Sequence, residues 1–532
     1  MRASSWRGAA SAWAAALGAA LCTVLVAAGP ASAAPWDDPA RKYPSSYDLR
    51  DRGRVTGVRD QSGYATCWVM SAMGSLESCL LPGSRLNLSE NHLANHQASL
   101  LNYQGRATNR ISTAYVARWE GPVLERDDRY PRPGQSPEGL RAVRHVQNVY
   151  YLPPRSGPRD NGPLKWAITT RGAVSAAMAY QSWSLNRATK AHYTTSTKLT
   201  HHVSVVGWND RYPASRFLRR PAGNGAFLIK NSWGPQWGLK GYFWVSYYDA
   251  GFASEAAVFD GIESRSNYDA IYQHDPMAWT RTMGYGSDTA WFANRFLCAG
   301  SGTVRAVSFY ARMPDSSYEV RVADTTGALV SAPAVASGSF GVGGYRTVRL
   351  KEPVAVTAGQ RFVVAVRLTT PGWVRPIAIE HPSSLTSPRA AAGQSYVSAD
   401  GAAWRDLTTM SGYSKSNVCL KAFVDGGQAR DTKPPKVTVQ SDVARVKGTA
   451  NLRYTLTDPP FSSASAVVKL WVRTSGGRVV KKSRIPAVAV GETRNWRFGI
   501  KLARGTYRVE ARAYDVAGNR QTSLSKATLT VR

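Results

Sequence analysis

Arg59-Asp60-Gln61-Ser62-Gly63-Tyr64-Ala65-Thr66-Cys67-Trp68 is the stretch on which the reading of this chain turns. A polar Ser-Gly turn leads into an apolar run whose pattern predicts a helix over Trp68 to Leu81, so one cysteine is delivered to a helix start. The positive end of a helix favours a thiolate, and a neighbouring imidazolium would lower the thiol pKa further, giving the nucleophile that acyl transfer needs. Gln61, six residues before Cys67, can aim an amide NH beside the sulfur, and with the Cys67 backbone NH it would form an oxyanion hole.

Taken alone, a cysteine in an apolar run reads as a small hydrophobe. A base must come from elsewhere, and His201-His202-Val203-Ser204-Val205-Val206-Gly207-Trp208 supplies one at the head of a β-type run that would hold the imidazole rigidly. The orienting group is Asn231 in Lys230-Asn231-Ser232-Trp233-Gly234, whose amide oxygen can accept the imidazole NH while Trp233 shields the bond.

These residues resemble the papain family of cysteine peptidases in type, order and spacing. Cys67 lies six residues after Gln61 and 134 before His201, and His201, not His202, stands six residues before Gly207. The resemblance covers nearly all of residues 44–262, including Leu88-Ser89-Glu90, and implies a two-lobed α+β catalytic domain. It makes Cys67 the nucleophile, His201 the general acid/base, Asn231 the orienting residue and Gln61 the oxyanion donor, with no cofactor and no metal. The implied function is hydrolysis of peptide bonds in a protein or peptide substrate through a thioester. The rival readings are a carbohydrate- or surface-binding protein with an inactive peptidase scaffold, and a thiol acyltransferase.

Ala114-Tyr115-Val116-Ala117-Arg118-Trp119-Glu120, Tyr272-Gln273-His274-Asp275-Pro276 and Asn417-Val418-Cys419-Leu420 are similar to bacterial and archaeal peptidases of this family that carry a lectin-like domain. Short alternating runs such as Val304 to Ala311, Tyr318 to Val322 and Phe362 to Leu368 make 263–426 a β-sandwich in this reading. Whether it binds sugar or serves as a spacer stays open. A linker at 427–434 precedes a second sandwich at 435–532, with strand runs at Leu452 to Leu456, Val467 to Val472 and Tyr507 to Tyr514. Pro434-Pro435-Lys436-Val437 and Asp515-Val516-Ala517-Gly518-Asn519 make it resemble a bacterial immunoglobulin-like module.

The family pattern is departed from at several places. Tyr64 stands where many relatives place a disulfide cysteine, so the active-site loop must be held by packing. Thr200 replaces the frequent Asn or Asp before the base. Gln104-Gly105-Arg106 falls near the strand that pairs with substrate, where an arginine would narrow the cleft or favour acidic side chains.

The chain has 532 residues, which calls for several domains, and 43% apolar with 10% aromatic residues excludes a disordered protein. Arg2 and Arg7, an apolar run from Ala12 to Ala28 and Ala31-Ser32-Ala33 read as an export signal over 1–33, removed with Cys22. No later stretch is long and apolar enough to span a membrane, so the expectation is a secreted, extracellular protein, with wall association through its C-terminal domains as a further expectation. Only about ten residues then separate the cleavage point from Tyr47, so no long inhibitory propeptide is expected.

Lys plus Arg number 67 against 35 Asp plus Glu, a formal charge of +32. Residues 430–532 hold 21 cations and 6 acids, so this tail alone carries +15 of that excess. A cell-wall polymer or carbohydrate is the candidate partner, against an Arg-rich solvated surface; no motif specifies nucleic acid. Of the remaining cysteines, Cys298 and Cys419 are either a disulfide or two buried thiols, and Cys79 is free. His92 and His96 share a helical face, expected to be a surface helix and not a metal site.

Overall fold

The computed structural model describes residues 34–101, 103, 105, 107–137, 139–426, 433–458, 465–491, 493–515 and 518–532. The export signal with Cys22, both Gln104 and Arg106, and most of the linker fall outside the described residues. No helix among those described is long and apolar enough to cross a membrane.

The helix foreseen over Trp68 to Leu81 forms as α1, Cys67–Leu80. It is buried on nearly every side, and its two faces differ in size. Trp68, Val69, Ala72, Met73 and Leu76 join an aromatic-rich cluster with Leu93, Tyr115 and Phe259. The other face carries Ser71, Gly74, Ser75 and Ser78, spaced as one side of a helix, and lies against the sheet. Ser71 Oγ meets Ser175 Oγ at 2.7 Å, Ser75 Oγ accepts from the Phe259 amide at 3.3 Å, and Ser78 Oγ accepts from the Ala173 amide at 2.8 Å. A Cβ on Gly74 would stand 2.8 Å from Ser204 Oγ, so the helix approaches strand His201–Asn209 more closely than a side chain at that position would permit without a shift.

That strand lies between Val174–Met178 and Ala226–Lys230 in a mixed sheet of thirteen strands. Its pairing sets Met178 opposite His201 and Ser175 opposite Ser204. Gly207, which fixes the choice of His201 over His202 by spacing, has its own structural reason: a Cβ there would sit 2.2 Å from the Tyr47 carbonyl of the crossing strand Ser46–Asp48. A second cluster, including Trp166, Val205, Trp208, Phe227 and Phe243, fills the far side of this sheet.

The middle region is built from the expected strand runs, seen at Gly302–Ala311, Ser316–Ala323 and Arg361–Thr369. Its core, with Phe292, Phe309, Val364 and Leu420, lies between a six-stranded sheet and strands that belong to the thirteen-stranded one. The two regions are joined by backbone hydrogen bonding: Gly344 to Arg346 pair with Tyr150 to Asn148, so one sheet runs through both. Cys298 and Cys419 are buried free thiols, Cys298 donating to the Gly300 carbonyl at 2.9 Å. Cys79 is also free; burial, with Asp260 beside it, pushes its thiol up to about 12.

The C-terminal region places the foreseen runs in Thr449–Thr457, Ser465–Arg473 and Gly505–Asp515. A three-stranded and a five-stranded sheet enclose one core that includes Leu452, Tyr454, Leu470, Val509 and Leu529.

The surface-helix reading of His92 and His96 is overturned. In α2, Glu90–His96, the two are 1% and 8% exposed and their rings stack at 3.8 Å. Tyr115 Oη lies 2.7 Å from His92 Nδ1, Glu120 lies 2.7 Å from His96 Nδ1, and Arg484 of the C-terminal region closes over His96 at 2.7 Å. Partners so distant in sequence leave no trace in a local pattern.

Two outcomes follow. Gly74→Val should cost about 1–3 kcal/mol by wedging α1 from the sheet, read as a lower denaturation midpoint. Burial lowers His201, His202, His145 and His274 to about 4 and His96 to about 3, all below the ordinary imidazole value of about 6.5. Their stability contribution is complete above that value and is lost as pH falls toward 4, because the unfolded chain takes up the protons first. Glu90 and Glu380, each raised to about 8 by burial, act oppositely, as do Glu125, Asp128, Glu255 and Asp275, which burial also raises. The histidine contribution is therefore read one residue at a time: the urea-midpoint deficit of His145→Gln relative to wild type should be smaller at pH 5 than at pH 7, and a deficit that grew on acidification would contradict the sign.

Candidate active site

Cys67 opens α1 and His201 opens the strand it lies against, with α1 running parallel to that strand. Ser71 faces Ser175, the partner of Ser204, and Ser78 faces Ala173, two residues further along. From the Gly74 and Ser204 contact, seven helical residues back to Cys67 span about 10.5 Å and three strand residues back to His201 span about 10 Å. The two therefore share one end of the helix–sheet interface. Cys67 and His201 are 7% and 6% exposed, so both side chains are shielded from bulk water.

The imidazole is held on three sides. His201 Nε2 lies 2.8 Å from Asn231 Oδ1, a bond in which the ring NH donates. Trp233 stacks on the ring at 4.8 Å with 25° between planes, and Tyr180 meets it edge-on at 6.0 Å. Tyr180 also packs edge-on against Trp233 at 4.8 Å. With Nε2 committed, Nδ1 is the nitrogen left for proton transfer. Burial is the main force on the ring and pushes it down to about 4; the Asn231 bond acts upward and His192 downward.

Gln61 is fixed from both sides. Its Oε1 accepts from Ser232 Oγ at 2.7 Å, and its Nε2 donates one hydrogen to the Tyr64 carbonyl at 2.6 Å, which leaves the second for an oxyanion. The backbone is fastened as well: Gln61 N donates to the Ser232 carbonyl at 2.8 Å and Gly234 N to the Arg59 carbonyl at 3.0 Å. The segments bearing Gln61 and Asn231 are thus laced together. Tyr130 ties this lacing to the helix start, its hydroxyl donating to the Gln61 carbonyl at 2.8 Å and lying 2.6 Å from Thr66 Oγ1.

Among the described residues no side chain caps the α1 N-terminus, and no acidic residue lies in its first turn. Tyr64 packs edge-on against Tyr103 at 5.1 Å and Tyr130 at 6.4 Å, holding the loop without a disulfide, as expected from sequence. Trp68 anchors the neighbouring segment by donating Nε1–H to the Gly105 carbonyl at 3.1 Å.

Beneath the site lies a buried ionic cluster. Arg59 stands 3.6 Å from Glu77 and 3.3 Å from Glu90, and Lys230 donates to Thr56 Oγ1 at 3.1 Å, which in turn donates to Glu77. Burial pushes Lys230 down to about 8 and Glu90 up to about 8. The cluster pins Lys230, hence Asn231 beside it, to the loop before Gln61.

All four residues proposed from sequence converge here. Ser232, Tyr130 and Tyr180 were missed as positioning groups. Ser232 stands inside the Asn231-Ser232-Trp233 motif and could have been found there; the two tyrosines carry no local signal.

Loss of the Asn231 amide should cost about 1.5–3 kcal/mol in the transition state, roughly 10- to 150-fold in kcat. Because that bond raises the His201 pKa and the ring must carry its proton beside the thiolate, Asn231→Ala should also move the alkaline limb of kcat/KM to lower pH than in wild type. A pH–rate profile checks both, and an alkaline limb that moved upward would contradict the assignment.

With this geometry in hand, comparison with known proteins is direct. Residues 43–258 match the papain family cysteine protease and residues 271–424 match the lectin like domain. Mouse procathepsin L is 30% identical over 214 residues, 38% of this chain and 61% of that protein. Mouse pro-cathepsin H is 29% identical over 219 residues, 38% of this chain and 60% of that protein. The chain therefore spans about three-fifths of the length of these two relatives. Among solved structures, the cysteine protease and lectin-like domains of Cwp84, a surface layer associated protein of Clostridium difficile, are 25% identical with a TM-score of 0.63, covering 72% of this chain and 89% of that one. Clostridial Cwp84 after propeptide cleavage gives 25% and 0.64, covering 72% of this chain and all of the other, 100%. Both structures extend the likeness across the fused sheet, and this chain carries a papain-family cysteine protease domain at residues 43–258 followed by a lectin-like domain at residues 271–424.

Proposed function

We propose that this chain is a secreted papain-like cysteine endopeptidase that hydrolyses peptide bonds. The observation that carries the reading is the Trp233-covered bond of 2.8 Å from His201 to Asn231, at the same end of the interface as the start of α1 with Cys67. The Cys67 thiolate attacks the substrate carbonyl, and the oxyanion is met by the Cys67 backbone NH and the free Gln61 Nε2–H. The proton on His201 Nδ1 passes to the departing amine, leaving a thioester. Water then adds with His201 taking its proton, and the thiolate is expelled with the acid product.

The aromatic-rich cluster around α1 and the cluster beyond the sheet support two lobes meeting at the site. The two facing sheets of the C-terminal region support an immunoglobulin-like module at 435–532, after the linker at 427–434. Export rests on the pattern of the first 33 residues, and the surface-layer association stated for Cwp84 is in keeping with it. Wall polymer or carbohydrate are the partners we assign to the C-terminal domains.

Digestion of a denatured protein mixture by purified protein with reductant, beside Cys67→Ala, tests the reading by mass spectrometry of the new termini. Cleavage by wild type and none by the variant is expected. If neither cuts and a peptide epoxide fails to label Cys67, the peptidase reading falls.

A further inference from the structure

The hairpin of Ser465–Arg473 and Val479–Ala489 turns one face into its own core through Val468, Leu470 and Val472. Its other face carries Lys469 opposite Arg484 and Trp471 opposite Lys482. This face looks toward the protease domain, where the end of α2 and the loop with Arg132 and Gln135 form the opposing wall. Between the two walls lies a cleft of about 510 Å³, within the usual range for a small-ligand site.

Among the described residues, every charged side chain lining the cleft is basic. Two of the described acids nearby have partners of their own. Glu120 is bonded to Arg484 at 3.0 Å and to His96, with Arg118 at 3.6 Å. Asp128 accepts from Asn91 at 2.6 Å. Arg132 and Lys482 are exposed, Trp471 is half-buried, and Lys469 lies 5.2 Å from the Tyr514 ring centre. In the wall itself, Arg484 Nε and His96 Nε2 are buried with no hydrogen-bond partner among the described residues. A wall of cations whose buried Arg484 Nε donor is left over is completed by an anion, while His96, neutral and donating Nδ1–H to Glu120, leaves Nε2 as an acceptor. The indole among them offers a flat apolar face with a polar edge, which suits a sugar ring better than a bare ion.

We propose that this cleft binds an acidic oligosaccharide, with its carboxylates on Arg132 and Lys482 and a ring against Trp471. It lies apart from Cys67 and does not depend on the peptidase reading, since occupancy is measured without turnover. The basic excess of the tail then has a particular address, where two regions meet.

Calorimetry on the full chain with trigalacturonic acid tests this, beside maltotriose as the neutral sugar and a glycerol phosphate oligomer as the anion without sugar rings. One trigalacturonate should bind per chain, maltotriose should give no heat, and Lys482→Glu and Trp471→Ala should each weaken binding by about tenfold or more. Thermal melting confirms that both variants fold, and exposed Lys482 decides the matter should Trp471→Ala fail to fold. Absence of trigalacturonate binding would overturn the proposal, as would equal affinity in wild type and Lys482→Glu, which would mean a diffuse basic surface. Equal binding of the glycerol phosphate oligomer, indifferent to Trp471→Ala, would overturn the assignment to a glycan.

Discussion

The small-residue face of α1 is the constraint from which the site follows. A nucleophile and a base on different elements react only if those elements are held at a fixed spacing, and here spacing is set by Gly74 against Ser204 and by Ser71 against Ser175. Small side chains permit close approach, and their hydroxyls satisfy backbone and side-chain partners that the apolar interior would otherwise leave costly. The opposite face of the helix is large and aromatic, so α1 is pressed onto the sheet from behind. Cys67 inherits its position from this arrangement, one turn beyond Ser71.

Electrostatics then act on a frame already fixed. Burial of His201 disfavours its protonated form, while the Asn231 bond favours it. These opposing influences leave the ring able to hold a proton when a thiolate stands beside it and to release that proton to a leaving amine. The loop carrying Gln61 is locked to the loop carrying Asn231 by Ser232, by paired backbone amides and by the Arg59 and Lys230 cluster beneath. The proposed oxyanion donor and the group proposed to orient the base are therefore mechanically one unit, and a change in either reaches the other.

What sequence could disclose follows the range of each interaction. Cys67, Gln61, His201 and Asn231 were legible because each lies in a short stretch whose residue types have chemical meaning, and the strand runs were legible by alternation. The burial of His92 and His96 was not, since it depends on Arg484 from another region and on Glu120. Nor was the continuous sheet, which hangs on three residue pairs joining Gly344 to Arg346 with Asn148 to Tyr150. Tyr130 bridges Gln61 and Thr66 from more than sixty residues away, with nothing around it to mark the role.

The long-range contacts that sequence hides also decide how the regions are coupled. A flexible linker alone would leave the C-terminal region free to wander. Instead, Arg484 enters the protease domain and bonds Glu120 and the Asn95 carbonyl, where burial lowers its own pKa to about 10. A buried arginine is tolerated only with its partners in place, so undocking would strand Glu120 and expose the stacked histidines. The lectin-like domain is held differently, by the hydrogen bonds of a shared sheet, which admit little sliding because a one-residue slip would turn every side chain to the wrong face. The protease domain is thus gripped on one side by a backbone ladder and on another by a buried charge.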